Sequence, residues 1–381
     1  MGQLLAKLLD KYLGTFLCYG LAGWQMLTPN KKQHDPRKSK RILIEKLIAI
    51  GDVIVALPTI HSIRLSFPDA YIVLLVTPRV KAVVEGNPDV NEIIYYDVFG
   101  QDKGLRGFLR AARNIRKKKF DLVLELTHYH RIVSLLTFWS GIKQRAGFAI
   151  AGQGRNKLLT IPVRYDIQKH EVEAFLDVAK AVGAETIVPE LQPIPFSHYD
   201  QISVDKLAQE IGVGPEMVLL QPGTSGIALS RRWENSKWAA VANWLNQQKK
   251  QVVFCGSNEE EPLFQEIRKQ LDFEPLSVIG KLSLKQLACF VQKAKLYIGL
   301  DTGTTHLAAA MGTRVLALYG PNTPFKWGPY GRQHRVIYKG LACSPCTKQY
   351  LGQVSKCQDN KCMQIILAEE VIKALQEVFL L

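Results

Sequence analysis

From Arg41 onward, short apolar runs alternate with stretches of helical spacing, and the whole alternation occurs twice. Residues 42–47, 71–77, 92–96 and 121–126 read as strands, with helices expected at 52–66, 79–85, 105–118 and 131–139. The pattern then restarts. Strands are expected at 217–221, 251–255, 276–279, 296–300 and 315–319, and helices at 236–248, 260–271, 284–293 and 304–311. Strands separated by helices pair in parallel, because each crossover helix carries the chain back over the sheet. Right-handed crossovers cover both faces of such a sheet. The expected fold is therefore α/β, with two Rossmann-like domains. Three prolines, Pro189, Pro193 and Pro195, mark the break between them. The domain expectation is an N-terminal extension at 1–40, a first domain at 41–195, a connection with a short helix at 196–215, a second domain at 216–366 and a closing helix at 367–381. A length of 381 residues allows two full cores. A gap between two such domains is a common place for a substrate.

Hydrophobic residues make up 47% and charged residues 22%, as in ordinary soluble proteins, so the net charge of +15 stands out. Such an excess suits nucleic acid, an anionic membrane or a phosphorylated substrate. No aromatic–basic RNA motif and no DNA-reading zinc-finger spacing is present, so nucleic acid is not expected as a partner. Part of the excess ends a predicted helix at Arg113, Arg116, Lys117, Lys118 and Lys119, where cations suit the dipole. Another part, Lys31, Lys32, Arg37, Lys38, Lys40 and Arg41, precedes the first strand. Residues 12–27 carry no charge but fall short of the ~20 that a spanning helix needs. Leu5, Leu8, Leu9, Tyr12 and Phe16 recur at helical spacing. Two readings stay open: an interfacial helix on an anionic leaflet, or a helix packed on the protein's own surface.

Three strand ends carry chemistry. Asp301, Thr302, Gly303, Thr304, Thr305 and His306 follow a buried-strand pattern and open a small-residue helix. A strand that turns into a helix presents free N–H groups, and here hydroxyls and an imidazole stand beside them, a seat for a diphosphate. Gln221, Pro222, Gly223, Thr224 and Ser225 form a similar loop, followed by Arg231 and Arg232, whose guanidinium forks fit phosphates. Gly223 is expected to let the backbone approach a ligand. After the strand at 251–255, Glu259 is the candidate for ribose hydroxyls, with Glu260 and Glu261 beside it. In the first half, Gly51 is expected to make the tight turn after the first strand. Asp52 is then either an N-cap or a general base at the carboxyl ends of the strands. Late in the chain Cys343, Cys346, Cys357 and Cys362 are spaced C-x2-C-x10-C-x4-C. This allows a structural zinc site, a set of reduced thiols or disulfides.

Taken together, Ile50-Gly51-Asp52-Val53 with Leu57-Pro58, Pro222-Gly223-Thr224-Ser225 with Arg232-Trp233, and the run from Asp301 to His306 resemble glycosyltransferase family 9, whose best-known members are the lipopolysaccharide heptosyltransferases. The resemblance runs from about Arg41 to the C-terminus. It implies the glycosyltransferase B architecture, two Rossmann-like domains facing across a cleft. It implies inverting, metal-independent transfer without a cofactor from a nucleotide sugar, typically ADP-L-glycero-D-manno-heptose, to a glycolipid at the inner face of a bacterial membrane. By position, Asp52 matches the catalytic base. Thr224, Ser225 and Arg231 match the contacts to the donor phosphates, and Asp301, Thr302, Gly303 and His306 match the donor loop, in which Thr304 also lies. Two other functions stay open: a family 9 enzyme with another nucleotide sugar, and a non-catalytic nucleotide-sugar-binding protein docked on a membrane.

Overall fold

The structure is a computed structural model that describes residues 8–27, 35–98, 100–224, 226–348 and 351–379. These fall into two compact units, one ending at Pro189 and the other starting at Glu190, with residues 351–352 grouped with the first.

The first unit is built on a six-stranded sheet: β1 (Arg41–Glu45), β2 (Tyr71–Val76), β3 (Glu92–Tyr95), β4 (Leu122–Glu125), β5 (Gln144–Ala149) and β6 (Ile161–Arg164). Their order is β3-β2-β1-β4-β5-β6 and every pair is parallel. The second unit repeats the plan with β7 (Met217–Gln221), β8 (Gln251–Phe254), β9 (Leu276–Ser277), β10 (Leu296–Leu300), β11 (Val315–Tyr319) and β12 (Arg335–Tyr338), in the order β12-β11-β10-β7-β8-β9. In each unit the strand order reverses beside the first strand, between β1 and β4 and between β7 and β10. Such reversal points are where open parallel sheets hold ligands. β4, β7, β10 and β11 are buried along their whole length, as their unbroken apolar runs require between two helix layers.

Helices α1 (Thr15–Leu27), α2 (Ile50–Ser66), α3 (Gly104–Lys117), α4 (Arg131–Trp139) and α5 (Glu171–Ala181) belong to the first unit. Helices α6 (His198–Glu210), α7 (Asn235–Gln247), α8 (Glu261–Arg268), α9 (Leu284–Val291), α10 (Gly303–Ala310) and α11 (Ala368–Phe379) belong to the second. Two domain expectations need correction. The boundary falls at 189/190 rather than 195. The segment 196–215, expected as a connection with a short helix, belongs to the second unit, where α6 packs on α9. The closing helix also joins the second unit, with Val371 and Leu375 fully buried beside Trp233 and Trp238. Strands β5, β6 and β12 and helix α5 were not expected from the sequence.

Ahead of α1 a π-type turn, Asp10–Gly14, continues the same helical rod. The rod grips the first unit through its small residues. Cys18 and Ala22 pack with Leu135 and Leu158, and a Cβ at Gly14 would stand 2.9 Å from that of Arg131. Asp10 accepts hydrogen bonds from the backbone N–H groups of Arg131 (3.2 Å) and Ile132 (2.8 Å), which satisfies the first turn of α4. Leu8, Leu9, Tyr12 and Phe16, the stripe seen in the sequence, lie on the exposed side instead. Leu5, Lys31 and Lys32 lie outside the described residues. Among the described residues no helix is long and apolar enough to cross a membrane.

Candidate active site

At the reversal point of the first unit, β1 leads through Leu47 and Ile48 to Ala49 and then α2. The left-handed residue of this turn is Ala49, at φ 69°, not Gly51, which lies inside the helix. Ala49 is also the N-cap and makes no side-chain cap bond, so Asp52, three residues on, does not cap α2. Its carboxylate instead accepts a hydrogen bond from Lys46 Nζ at 3.0 Å. Asp52 is 7% exposed and Lys46 1%. The Lys46 ammonium also stands 5.2 Å from the centre of the Phe175 ring. A buried pair of this kind is held firmly, since removing either partner strands a charge.

Behind this pair lies a second set of ionisable groups that sequence reading missed. Glu45 and Glu125 are register partners at the ends of β1 and β4, and both are fully buried. Glu45 accepts from Thr127 Oγ1 (2.6 Å) and from the N–H groups of Leu47 (3.1 Å) and Thr127 (3.2 Å). Burial raises its carboxyl to about 7; the neighbouring Glu125 adds to the rise, while the Thr127 hydrogen bond, Lys46 and Arg155 oppose it. Glu125 accepts from Arg155 Nη2 (2.9 Å) and from the hydroxyls of Ser134 and Thr137, each at 2.5 Å. The one sequence signal was an acid closing each of two apolar runs, Arg-Ile-Leu-Ile-Glu and Leu-Val-Leu-Glu. Burial, and next the charge of Asp52, raise the phenol of Tyr129.

At the reversal point of the second unit, the two predicted loops are tied together. Arg231 donates from Nη1 to the Asp301 carbonyl (2.7 Å), and its Nε stands 3.2 Å from the Asp301 carboxylate. The Arg232 carbonyl accepts from Asn360 Nδ2 at 2.7 Å. Gln221 Oε1 collects the hydroxyls of Tyr297 (2.5 Å), Thr302 (3.2 Å) and Thr304. Thr302 is the N-cap of α10 with extended backbone and makes no side-chain cap bond, so the first-turn N–H groups of that helix remain donors for an anion. Gly303 takes the first helical position with ordinary backbone. His306 is buried on the same helix, and Thr305 donates to the Leu300 carbonyl.

Thr224 is buried and donates to the Ala228 carbonyl at 3.2 Å, closing its own loop. Ser225 lies outside the described residues. Beside Gly223 the space belongs to the Glu260 carboxylate: a Cβ there would lie 1.8 Å from Glu260 Oε1. Glu260 also accepts from the Ser257 N–H (2.6 Å). Of the neighbouring acids it is therefore Glu260, not the exposed Glu259, that lies over the ends of β7 and β8.

Of the late cysteines, Cys346 and Cys362 lie against Gly320 and Pro321. Cys362 Sγ would stand 2.8 Å from a Cβ at Gly320, and the Cys346 N–H donates to the Pro321 carbonyl at 3.0 Å. Burial first, and then the thiols of Cys346, Cys343 and Cys357, raise the Cys362 thiol to about 11. All four are free thiols, and among the described residues no three His, Cys, Asp or Glu side chains stand where they could hold a metal ion.

The profile of glycosyltransferase family 9 (heptosyltransferase) matches residues 108–353, more than half of the chain. The chain belongs to glycosyltransferase family 9. The match takes in both loops of the second unit and begins after Asp52. Among relatives of this family 9 chain is the lipopolysaccharide core heptosyltransferase OpsX of Haemophilus influenzae, 26% identical over 78% of this chain and 84% of that protein. A family 9 glycosyltransferase structure from Veillonella parvula covers 90% of this chain and 97% of its own, with a TM-score of 0.76 and 25% identity. The structure of E. coli ADP-heptose lps heptosyltransferase II covers 89% and 98%, with a TM-score of 0.68 and 21% identity, which shows the shared fold. The fold is the glycosyltransferase B type that the sequence motifs implied.

Proposed function

We propose that this glycosyltransferase moves a heptose from ADP-L-glycero-D-manno-heptose to a lipopolysaccharide core or related glycolipid, with inversion and without a metal. The observation that carries this reading is the seat joined by Arg231 and Asp301 in front of α10. Two loops chosen separately for diphosphate chemistry meet there through one guanidinium. The names of the relatives support heptose and an ADP carrier. Glu260 takes the ribose role first given to Glu259.

In this reading Asp52 removes the proton of an acceptor hydroxyl, and Lys46 holds the carboxylate in place. The freed oxygen attacks the anomeric carbon opposite the diphosphate. As that new C–O bond forms, the bond to the phosphate oxygen breaks and its electron pair leaves with ADP. The N–H donors of α10 and the Arg231 guanidinium stabilise the charge on the departing diphosphate. A glycolipid acceptor puts the enzyme at the inner face of a bacterial membrane, bound peripherally.

Calorimetric titration of the purified chain with ADP-heptose and with UDP- and GDP-sugars tests the donor. ADP-heptose should bind tightest and be consumed in the presence of a core glycolipid. Tightest binding of a UDP- or GDP-sugar would replace the donor. Affinity without turnover on any glycolipid would make the chain a binding protein.

A further inference from the structure

The rod of residues 8–27 turns its largest side chains away from the domain. Tyr12, Leu13, Phe16, Tyr19 and Trp24 range from 49% exposed at Tyr19 to 73% at Phe16. Soluble proteins seldom leave a patch of this size open, and aromatic residues of mixed polarity suit the boundary of a bilayer. The one acid of the rod, Asp10, is committed inward to α4 and His130. Lys11 is exposed beside the Tyr12 ring, and Lys157 is exposed on the turn that α1 packs against.

Helix α3 is the neighbour of α1. Its Phe108 packs into the apolar cluster that holds Cys18 and Ala22. It contains no acidic residue and exposes Arg106, Arg113 and Lys117; its Arg110 is paired with Asp102. An exposed aromatic stripe, with exposed cations on its own rod, on the turn beneath it and on the neighbouring helix, complements a surface that is apolar within and anionic at its edge. It is a poor match for a second copy of itself, which would bring like charges together.

We propose that α1 and α3 form one docking face for an anionic lipid bilayer, with the aromatic stripe entering the headgroup boundary and the α3 cations bound to lipid phosphates. This deepens the glycolipid reading and rests on it for its purpose, but its test needs no turnover.

The test is co-sedimentation with phosphatidylcholine vesicles with and without phosphatidylglycerol, beside size-exclusion light scattering. The chain should bind the phosphatidylglycerol vesicles and release with salt. The double variant Phe16→Gln/Trp24→Gln should lose affinity by about tenfold or more. Arg106→Glu/Arg113→Glu should lose affinity for the anionic vesicles selectively. All four positions are exposed, so both variants should keep the wild-type circular dichroism, and both should keep transfer to an acyl-free core sugar. Equal binding by wild type and both variants, or no binding by the wild type, overturns the proposal. So does a dimer that the Phe16→Gln/Trp24→Gln variant breaks, which would assign the face to a second copy. Failure of transfer to the soluble acceptor by the wild type would count against the glycolipid reading alone.

Discussion

Glu45 has no solvent contact, and three donors point at its carboxylate, yet its carboxyl is raised to about 7 from an ordinary 4.5. The folded state therefore holds this proton more tightly than the unfolded chain does. Its contribution to stability is complete below about pH 4.5, falls as pH rises, and is lost once pH passes about 7. The loss is on the order of 3 kcal/mol if the whole shift is expressed. Glu45→Gln should remove this slope, so that its melting temperature meets or exceeds that of the wild type at neutral pH; parallel wild-type and variant profiles would contradict the assignment. At this scale the sequence was half legible. Asp52 and Asp301 follow strands in recognisable motifs. Glu125 and Arg155 do not, because their partners lie on other strands or on loops far along the chain, and Lys46, though only six residues from Asp52, stands in no recognisable motif.

Elements were legible where burial made a strand uniformly apolar. β1, β7, β10 and β11 were placed to within a residue or two for that reason. β5 reads Gln-Arg-Ala-Gly-Phe-Ala and has no such run, although the fold buries it. β6 contains Pro162 and β12 is short; both are edge strands, where a full apolar run is not required. For α1 the amphipathic stripe was legible but its meaning was not, since the domain is gripped by the small residues opposite. Helix α11 had a clear period and no legible partner. It closes the second core through Val371 and Leu375, and the chain just before it is pinned by Trp233 Nε1 on the Ile366 carbonyl at 2.9 Å. Leu375→Ala should destabilise the second unit by about 2–5 kcal/mol in denaturant unfolding followed by tryptophan fluorescence. A transition at the wild-type midpoint would mean the helix is dispensable to that core.

The whole molecule is one topology used twice, and each copy places its chemistry where the strand order reverses. The first unit offers a buried carboxylate held by an ammonium, and the second an anion seat tied by a guanidinium. That division was legible in the motifs, since each follows the first or fourth strand of its half. The finer boundaries were not, because two of the three prolines that suggested the break, Pro193 and Pro195, lie inside the second unit. The excess of +15 is likewise distributed, with part of it at exposed positions of α3. The central claim is that the two units divide proton removal and donor binding between them. Single-turnover transfer by Asp52→Asn, with ADP-heptose affinity measured on the same preparation, tests it most directly. The asparagine oxygen can still accept from Lys46, so the fold and donor affinity should persist while transfer falls by about a thousandfold. Transfer near the wild-type rate with donor affinity intact would contradict it.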